Sequence, residues 1–97
     1  MDDKTLNLMG LARRAGKLLI GSDAVCGSVK KKKTKLVLLT SDAAPAHVRK
    51  LAGLGYEGTT MHLPYTMKQV GEAVGKYACI FALEDEGFSA AVEKTSK

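Results

Sequence analysis

A chain of 97 residues with 45% apolar side chains and two prolines fits one compact domain and leaves no room for a second. This length hides somewhat more than the ~60% of unfolded surface that a 60-residue domain buries, so folding requires neither a disulfide nor a metal. The net charge is +5, yet residues 1–50 carry eleven basic and four acidic side chains, and residues 51–97 carry four basic and six acidic.

The asymmetry is local. Arg13, Arg14, Lys17, Lys30, Lys31, Lys32, Lys33 and Lys35 share the stretch from 13 to 35 with one anion, Asp23. Such a band suits a polyanion, nucleic acid first, or else a solvated helix end that keeps a small protein soluble. Cys26 and Cys79 match no Cys-x-x-Cys or Cys/His ligand spacing and sit in apolar stretches, which reads as reduced thiols in a cytoplasmic protein. The opening Asp2 and Asp3 are acidic where a signal peptide is basic, and no apolar run approaches the ~18 residues of a membrane span. Neither secretion nor a membrane partner is expected.

Along the chain, Leu8, Leu11, Ala12 and Ala15 recur at i, i+3, i+4 and i+7 and predict a first helix that Gly16 closes. Lys17 to Ile20 is a short strand. Ser22 is placed to accept from the free amides of a second helix, which runs to about Lys32 with Val25, Cys26 and Val29 inward. Its last turn, Lys30 to Lys33, opposes the negative end of the helix dipole, a role that needs no ligand. Lys35 to Thr40 is apolar without alternation, the pattern of a central strand covered on both faces. Pro45 opens a third helix with Val48, Leu51 and Ala52 inward, ended by Gly53, Gly55 and Gly58. Thr59 to Leu63 is a strand stopped by Pro64, with His62 pointing to solvent or capping the strand end. Thr66 caps a fourth helix with Met67, Val70, Gly71 and Val74 on one stripe, and Gly75 ends it. Ala78 to Leu83 is a second fully covered strand, and Phe88, Ala91 and Val92 face inward from a terminal helix. This α-β-α-β-α-β-α-β-α order predicts an α/β fold: one domain over residues 1–97, a three-layer α-β-α sandwich around a small mixed β-sheet.

Several spellings of known chemistry fail on context. Gly53-x-Gly55-x-x-Gly58 has the spacing of a dinucleotide-binding loop, but a helix precedes it and a strand follows, the reverse of what pyrophosphate binding needs. Gly10 to Lys17 is one residue too long for a P-loop and lacks the Ser or Thr after its lysine. His47 and His62 have no oriented partner, so no catalytic set is assembled and no enzyme is expected. Glu84, Asp85 and Glu86 suit the first turn of the last helix, where carboxylates complement the dipole. His and carboxylate groups are too scattered for a metal shell, and no cofactor is expected.

One constellation remains: Gly21-Ser22-Asp23 at a helix start, whose amides attract phosphate, with Arg13, Arg14 and Lys17 before it and the lysines after it. With Gly10-Leu11-Ala12-Arg13-Arg14-Ala15-Gly16-Lys17, the strand from Lys35 to Leu39, Val70 to Lys76 and Asp85-Glu86-Gly87-Phe88 in that order, the chain resembles a known family from about Leu6 to Val92. It is the kink-turn RNA-binding ribosomal-protein family of archaeal L-seven-Ae and eukaryotic L-thirty-e proteins, in its bacterial YlxQ-like branch. The resemblance implies the same sandwich and RNA binding. It also implies a second helix that opens Gly-x-Asn-Glu, with a Lys one turn on, to read guanines of sheared G·A pairs, and a loop after the fourth helix that covers an extruded base. Gly21 keeps this pattern, whereas Asp23, Ala24 and Gly27 stand in place of the Asn, Glu and Lys. Ionised Asp23 only accepts, Ala24 does neither, and Gly27 removes a cation of a type worth ~1–3 kcal/mol of base discrimination.

The expected RNA site is therefore Arg13, Lys17, Gly21, Ser22, Asp23, Lys30, Lys31, Lys68, Lys76 and Tyr77 on one face, with backbone electrostatics dominating. Tyr77 either stacks on a base or packs at the mouth of the sheet. The expected partner is structured RNA, ribosomal RNA included, with no preference for DNA. The competing reading is a protein-interaction module on the same fold with little RNA affinity.

Overall fold

The computed structural model describes residues 4–95; Asp2 and Asp3 lie outside them. In chain order the elements are α1 (Lys4–Arg14), β1 (Leu18–Ile20), α2 (Ser22–Lys30), β2 (Leu36–Leu39), α3 (Pro45–Gly53), β3 (Thr59–His62), α4 (Met67–Val74), β4 (Ile80–Leu83) and α5 (Glu86–Lys94). The strands form one mixed sheet in the order β1-β4-β2-β3, with β4 antiparallel to both neighbours and β2 parallel to β3.

The two interior strands are the uninterrupted apolar runs, and every residue in them is buried. Alternation along a strand sends successive side chains to opposite faces. Leu36, Leu38, Phe81 and Leu83 accordingly join Met9, Ala12, Val70, Val74 and Val92 in one core, beneath α1, α4 and α5. Val37, Leu39, Ile80 and Ala82 join Val25, Val29 and Leu51 in the other, beneath α2 and α3. This is the three-layer sandwich. The edge strands are short, three residues in β1 and four in β3, which limits the unpaired backbone they offer to another chain.

Several helix faces depart from the periodic expectation. In α1 the buried residues are Thr5, Met9 and Ala12, so the inward stripe is turned away from Leu11, which is 47% exposed, and Ala15 lies beyond the helix in solvent. The turn of the stripe brings the Thr5 hydroxyl into a hydrogen bond with that of Thr95, joining the two ends of the described chain. In α3 only Leu51 is buried; Val48 and Ala52 are exposed because the helix sits at the margin of the smaller core. Met67 is exposed, as the first residue of its helix, while Val70, Gly71 and Val74 are buried as expected. In α5 the fully buried positions are Ser89 and Val92, with Phe88 and Ala91 half-buried.

The helix ends follow local chemistry. Thr66 and Gln69 form a reciprocal capping box on α4, and Gly75 closes that helix in the left-handed conformation at φ 93°. The Asp85 carboxylate accepts from the Phe88 amide at 2.8 Å and Glu86 lies in the first turn, so these two serve the start of α5, whereas Glu84 accepts from the Ser28 hydroxyl instead. Pro45 occupies the first turn of α3.

Candidate nucleic-acid interface

The strand register divides the loops between two ends of the sheet. Ile20 pairs with Phe81, and Leu39 pairs with both Ile80 and His62, so the chain leaves β1, β2 and β3 and enters β4 at the same end. That end carries the start of α2, the loop after Thr40, the loop from Leu63 to Thr66, and the α4–β4 loop from Gly75 to Cys79. Backbone bonds tie them together: Gly21 N to Ile80 O at 3.0 Å, Thr40 N to Cys79 O at 3.0 Å, and Ser41 N to Tyr65 O at 2.7 Å.

Gly21, with φ 94° and ψ 159°, holds a backbone shape that side chains rarely adopt and turns the chain from β1 directly into α2. It occupies the cap position, which corrects the capping role expected for Ser22. Ser22 is the first helical residue, and its hydroxyl lies 3.9 Å from the Cys26 sulfur rather than over the helix amides. No side chain caps α2. The opening amides of a helix have no partner within it, so those of Ser22, Asp23 and Ala24 form an anion-seeking end. Asp23 is exposed in this first turn, where its carboxylate also complements the dipole.

Tyr77 in the adjoining loop is 59% exposed. Its ring lies against Gly71, where an added β-carbon would collide with it. One side of the ring is thus braced on α4 while much of the side chain is open to solvent. Lys76 beside it is exposed. Arg13 reaches the same loop from α1: its guanidinium donates to the Val74 carbonyl at 3.3 Å and would meet a β-carbon at Gly75 at 3.0 Å. Lys68 is exposed in the first turn of α4, whose Met67 amide donates to Asp42 at 2.9 Å. Asp42 also takes the Thr40 hydroxyl at 2.8 Å, and these two hydrogen bonds, the hydroxyl first, hold its carboxyl below the usual range. Sequence reasoning singled out neither Thr40 nor Asp42 for this role; their signal is a carboxylate two residues beyond a strand-ending Thr.

Three of the expected site residues lie elsewhere. Lys17 immediately precedes Leu18, which pairs with Leu83 at the opposite end, and it shares a pocket with Gly16, Leu19, Glu84 and Asp85. Lys30 and Lys31 end α2, about 12 Å from Ser22 at 1.5 Å per residue. The expectation that they share one face with Gly21 is corrected: β1 separates Lys17 from the helix start, and the length of α2 separates the lysines from it. The described residues therefore group Arg13, Gly21, Ser22, Asp23, Lys68, Lys76 and Tyr77 at one end and Lys17, Lys30 and Lys31 at the other.

His62 is exposed and His47 half-buried, and among the described residues no group of three or more His, Cys, Asp or Glu is placed to hold a metal. Nor is any described helix long and apolar enough to cross a membrane.

The class defined by this fold is the small three-layer α-β-α sandwich whose second helix starts, uncapped, beside the loop entering the last strand. The chain belongs to the ribosomal protein L7Ae/L30e/S12e/Gadd45 family, whose pattern matches residues 3–93. It is 31% identical over 88 residues to the RNA-binding protein YlxQ of Enterococcus faecium, covering 89% of this chain and 84% of that one. The corresponding protein of Bacillus subtilis, also named RNA-binding protein YlxQ, is 33% identical over 87 residues, with 84% of each chain covered. Among solved structures, a protein of unknown function from Bacillus halodurans C superimposes with a TM-score of 0.86 at 31% identity over 97% of both chains. A 15.5 kD RNA binding protein of Giardia lamblia shares the fold, with a TM-score of 0.73 at 16% identity over 95% of this chain and 81% of that one.

Proposed function

We propose that this protein is a non-enzymatic, cytoplasmic RNA-binding protein that grips structured RNA, ribosomal RNA among the candidates, with the start of α2 and the α4–β4 loop. The observation that carries this reading is the juxtaposition, through the Gly21 to Ile80 bond, of an uncapped helix start and the loop presenting Lys76 and Tyr77. The naming of two relatives as RNA-binding proteins supports it.

Each part has a physical role. The free amides of the first turn of α2 donate to phosphate oxygens or to acceptors on a base. Arg13, Lys68 and Lys76 neutralise phosphates around that end. Tyr77, braced on Gly71, offers its open side to an unstacked base, a contact worth ~1–3 kcal/mol. Base reading differs from the family pattern. Asp23 accepts from guanine N–H groups but donates nothing, and neither Ala24 nor Gly27 offers a hydrogen-bonding side chain. The protein therefore favours a kink-turn weakly over other bent RNA, and charge supplies most of the affinity.

The test is a titration of a kink-turn RNA and of the same RNA without its G·A pairs, each at two salt concentrations. Binding to both, with a small preference for the intact motif and a steep loss at the higher salt, is expected. Negligible binding to both at low salt would overturn the proposal in favour of a protein-interaction module.

A further inference from the structure

Lys32 has a φ of 59° and is, among the described residues, the non-glycine residue held in the left-handed region. It terminates α2 in a motif with paired backbone bonds: Lys32 N to Val29 O at 3.0 Å and Lys33 N to Ser28 O at 3.1 Å. The same pair ends α1, through Gly16 N to Arg13 O and Lys17 N to Ala12 O, and ends α3, through Gly55 N to Ala52 O and Tyr56 N to Leu51 O. In those two helices the left-handed residue is glycine, with φ 73° and 78°. A side chain is disfavoured at such a position because its β-carbon crowds the neighbouring carbonyl. The helix dipole accounts for cations at Lys30 and Lys31, but not for a lysine where glycine fits best.

Within the turn itself the charge is all of one sign, while Glu84, Asp85 and Glu86 follow β4 at the same end of the sheet. Lys30, Lys31, Lys33 and Lys35 are also exposed, and no acidic residue stands between Asp23 and Asp42 in the chain. Glu84, at this end of the sheet, is engaged by hydroxyl groups: Ser28 donates to its carboxylate at 2.6 Å, and Thr34 donates to Ser28 at 2.6 Å. Glu57 lines the shallow pocket beside Lys32. The Thr34–Ser28–Glu84 chain and the Lys35 N to Leu83 O bond at 2.8 Å hold the turn from Lys31 to Lys35 onto the sheet. The lysines thus stand on fixed backbone, repel one another, and include one in a conformation that disfavours its own side chain.

We infer that this lysine turn is a second RNA-backbone contact, separate from the end carrying Gly21 and Tyr77, and that Lys32 is kept there for its ammonium group. The inference rests on the RNA-binding reading and extends it: a flanking stem of the bound RNA lies along α2, so that its phosphates meet the lysines about 12 Å beyond the helix start.

Lys32→Gly separates this role from a structural one, because glycine relaxes the backbone while removing the charge. The measurements are the melting temperature and the affinity for a kink-turn RNA, with a short stem and with that stem extended by one helical turn, over a range of salt. Lys32→Gly should melt at or above the wild-type temperature, bind the long-stem RNA about 3- to 10-fold more weakly at low salt, and show a salt slope reduced by roughly 0.7 to 0.9 for the lost phosphate contact. Lys32→Arg should bind as the wild type does, and the short-stem RNA should not distinguish the variants. Unchanged affinity and salt slope in Lys32→Gly on the long-stem RNA would overturn the second contact. If Tyr77→Ala still weakens binding in that case, the site at the helix start stands on its own; if the wild type binds neither RNA, the underlying reading fails and this one with it.

Discussion

The carboxylate of Asp42 joins the end of β2 to the start of α4 by taking the Thr40 hydroxyl and the Met67 amide together. Those bonds stabilise its ionised form, so its folded pKa lies below the unfolded one. The stability it contributes is complete above the unfolded value and is lost as pH falls through the lower, folded value. Asp42→Ala should therefore melt at a lower temperature than the wild type at pH 7, and thermal melts across the acid range should show the gap closing once both forms are protonated. A second residue-scale expectation concerns Tyr77. Because a β-carbon at Gly71 would occupy the space of its ring, Gly71→Ala must push the ring off α4. Its RNA affinity should fall toward that of Tyr77→Ala, itself about 1–3 kcal/mol weaker than wild type in a binding titration.

Among the elements, the helices differ most in how they begin. Thr66 and Gln69 close the start of α4 and Asp85 closes α5, whereas α2 begins at Gly21 with no side-chain acceptor. Thr66→Ala should cost about 1 kcal/mol in chemical denaturation. The interior strands were legible from composition alone, since a residue run buried on both faces has no polar position to interrupt it, and β2 and β4 are such runs. The helix faces were less so. Leu11 satisfies the apolar period of α1 as well as Met9 does, and only the packing of α1 against α4 and α5 decides that Met9 turns inward. In α3 the exposed Val48 shows the same limit, as an apolar residue at the right spacing finds no core to enter at the margin of the sheet.

At the level of the whole molecule, the sheet register decides which charges meet. Gly21 to Asp23 and Lys76 to Tyr77 were readable as a helix start and a loop, but their placement at one end of the sheet depends on β1 and β4 running antiparallel, with Gly21 bonded to Ile80. Lys17 is nearer to Gly21 along the chain than Lys76 is, yet a strand lies between them and carries it to the far end. Linear proximity of cations is a poor guide to a shared face for that reason. The two cores on either side of the sheet also share its strands, so Leu38→Ala, which empties a fully buried position in the larger core, should cost about 2–5 kcal/mol by denaturant unfolding without moving the basic groups. RNA docking where the start of α2 meets the α4–β4 loop underlies all of these binding expectations, and amide chemical shifts of the labelled protein, followed during titration with a kink-turn RNA at low salt, report on it residue by residue. The largest changes are expected at Ser22 to Ala24 and at Lys76 to Cys79; changes confined to α1 and α5, with those amides unmoved in the presence of saturating RNA, would refute this docking site.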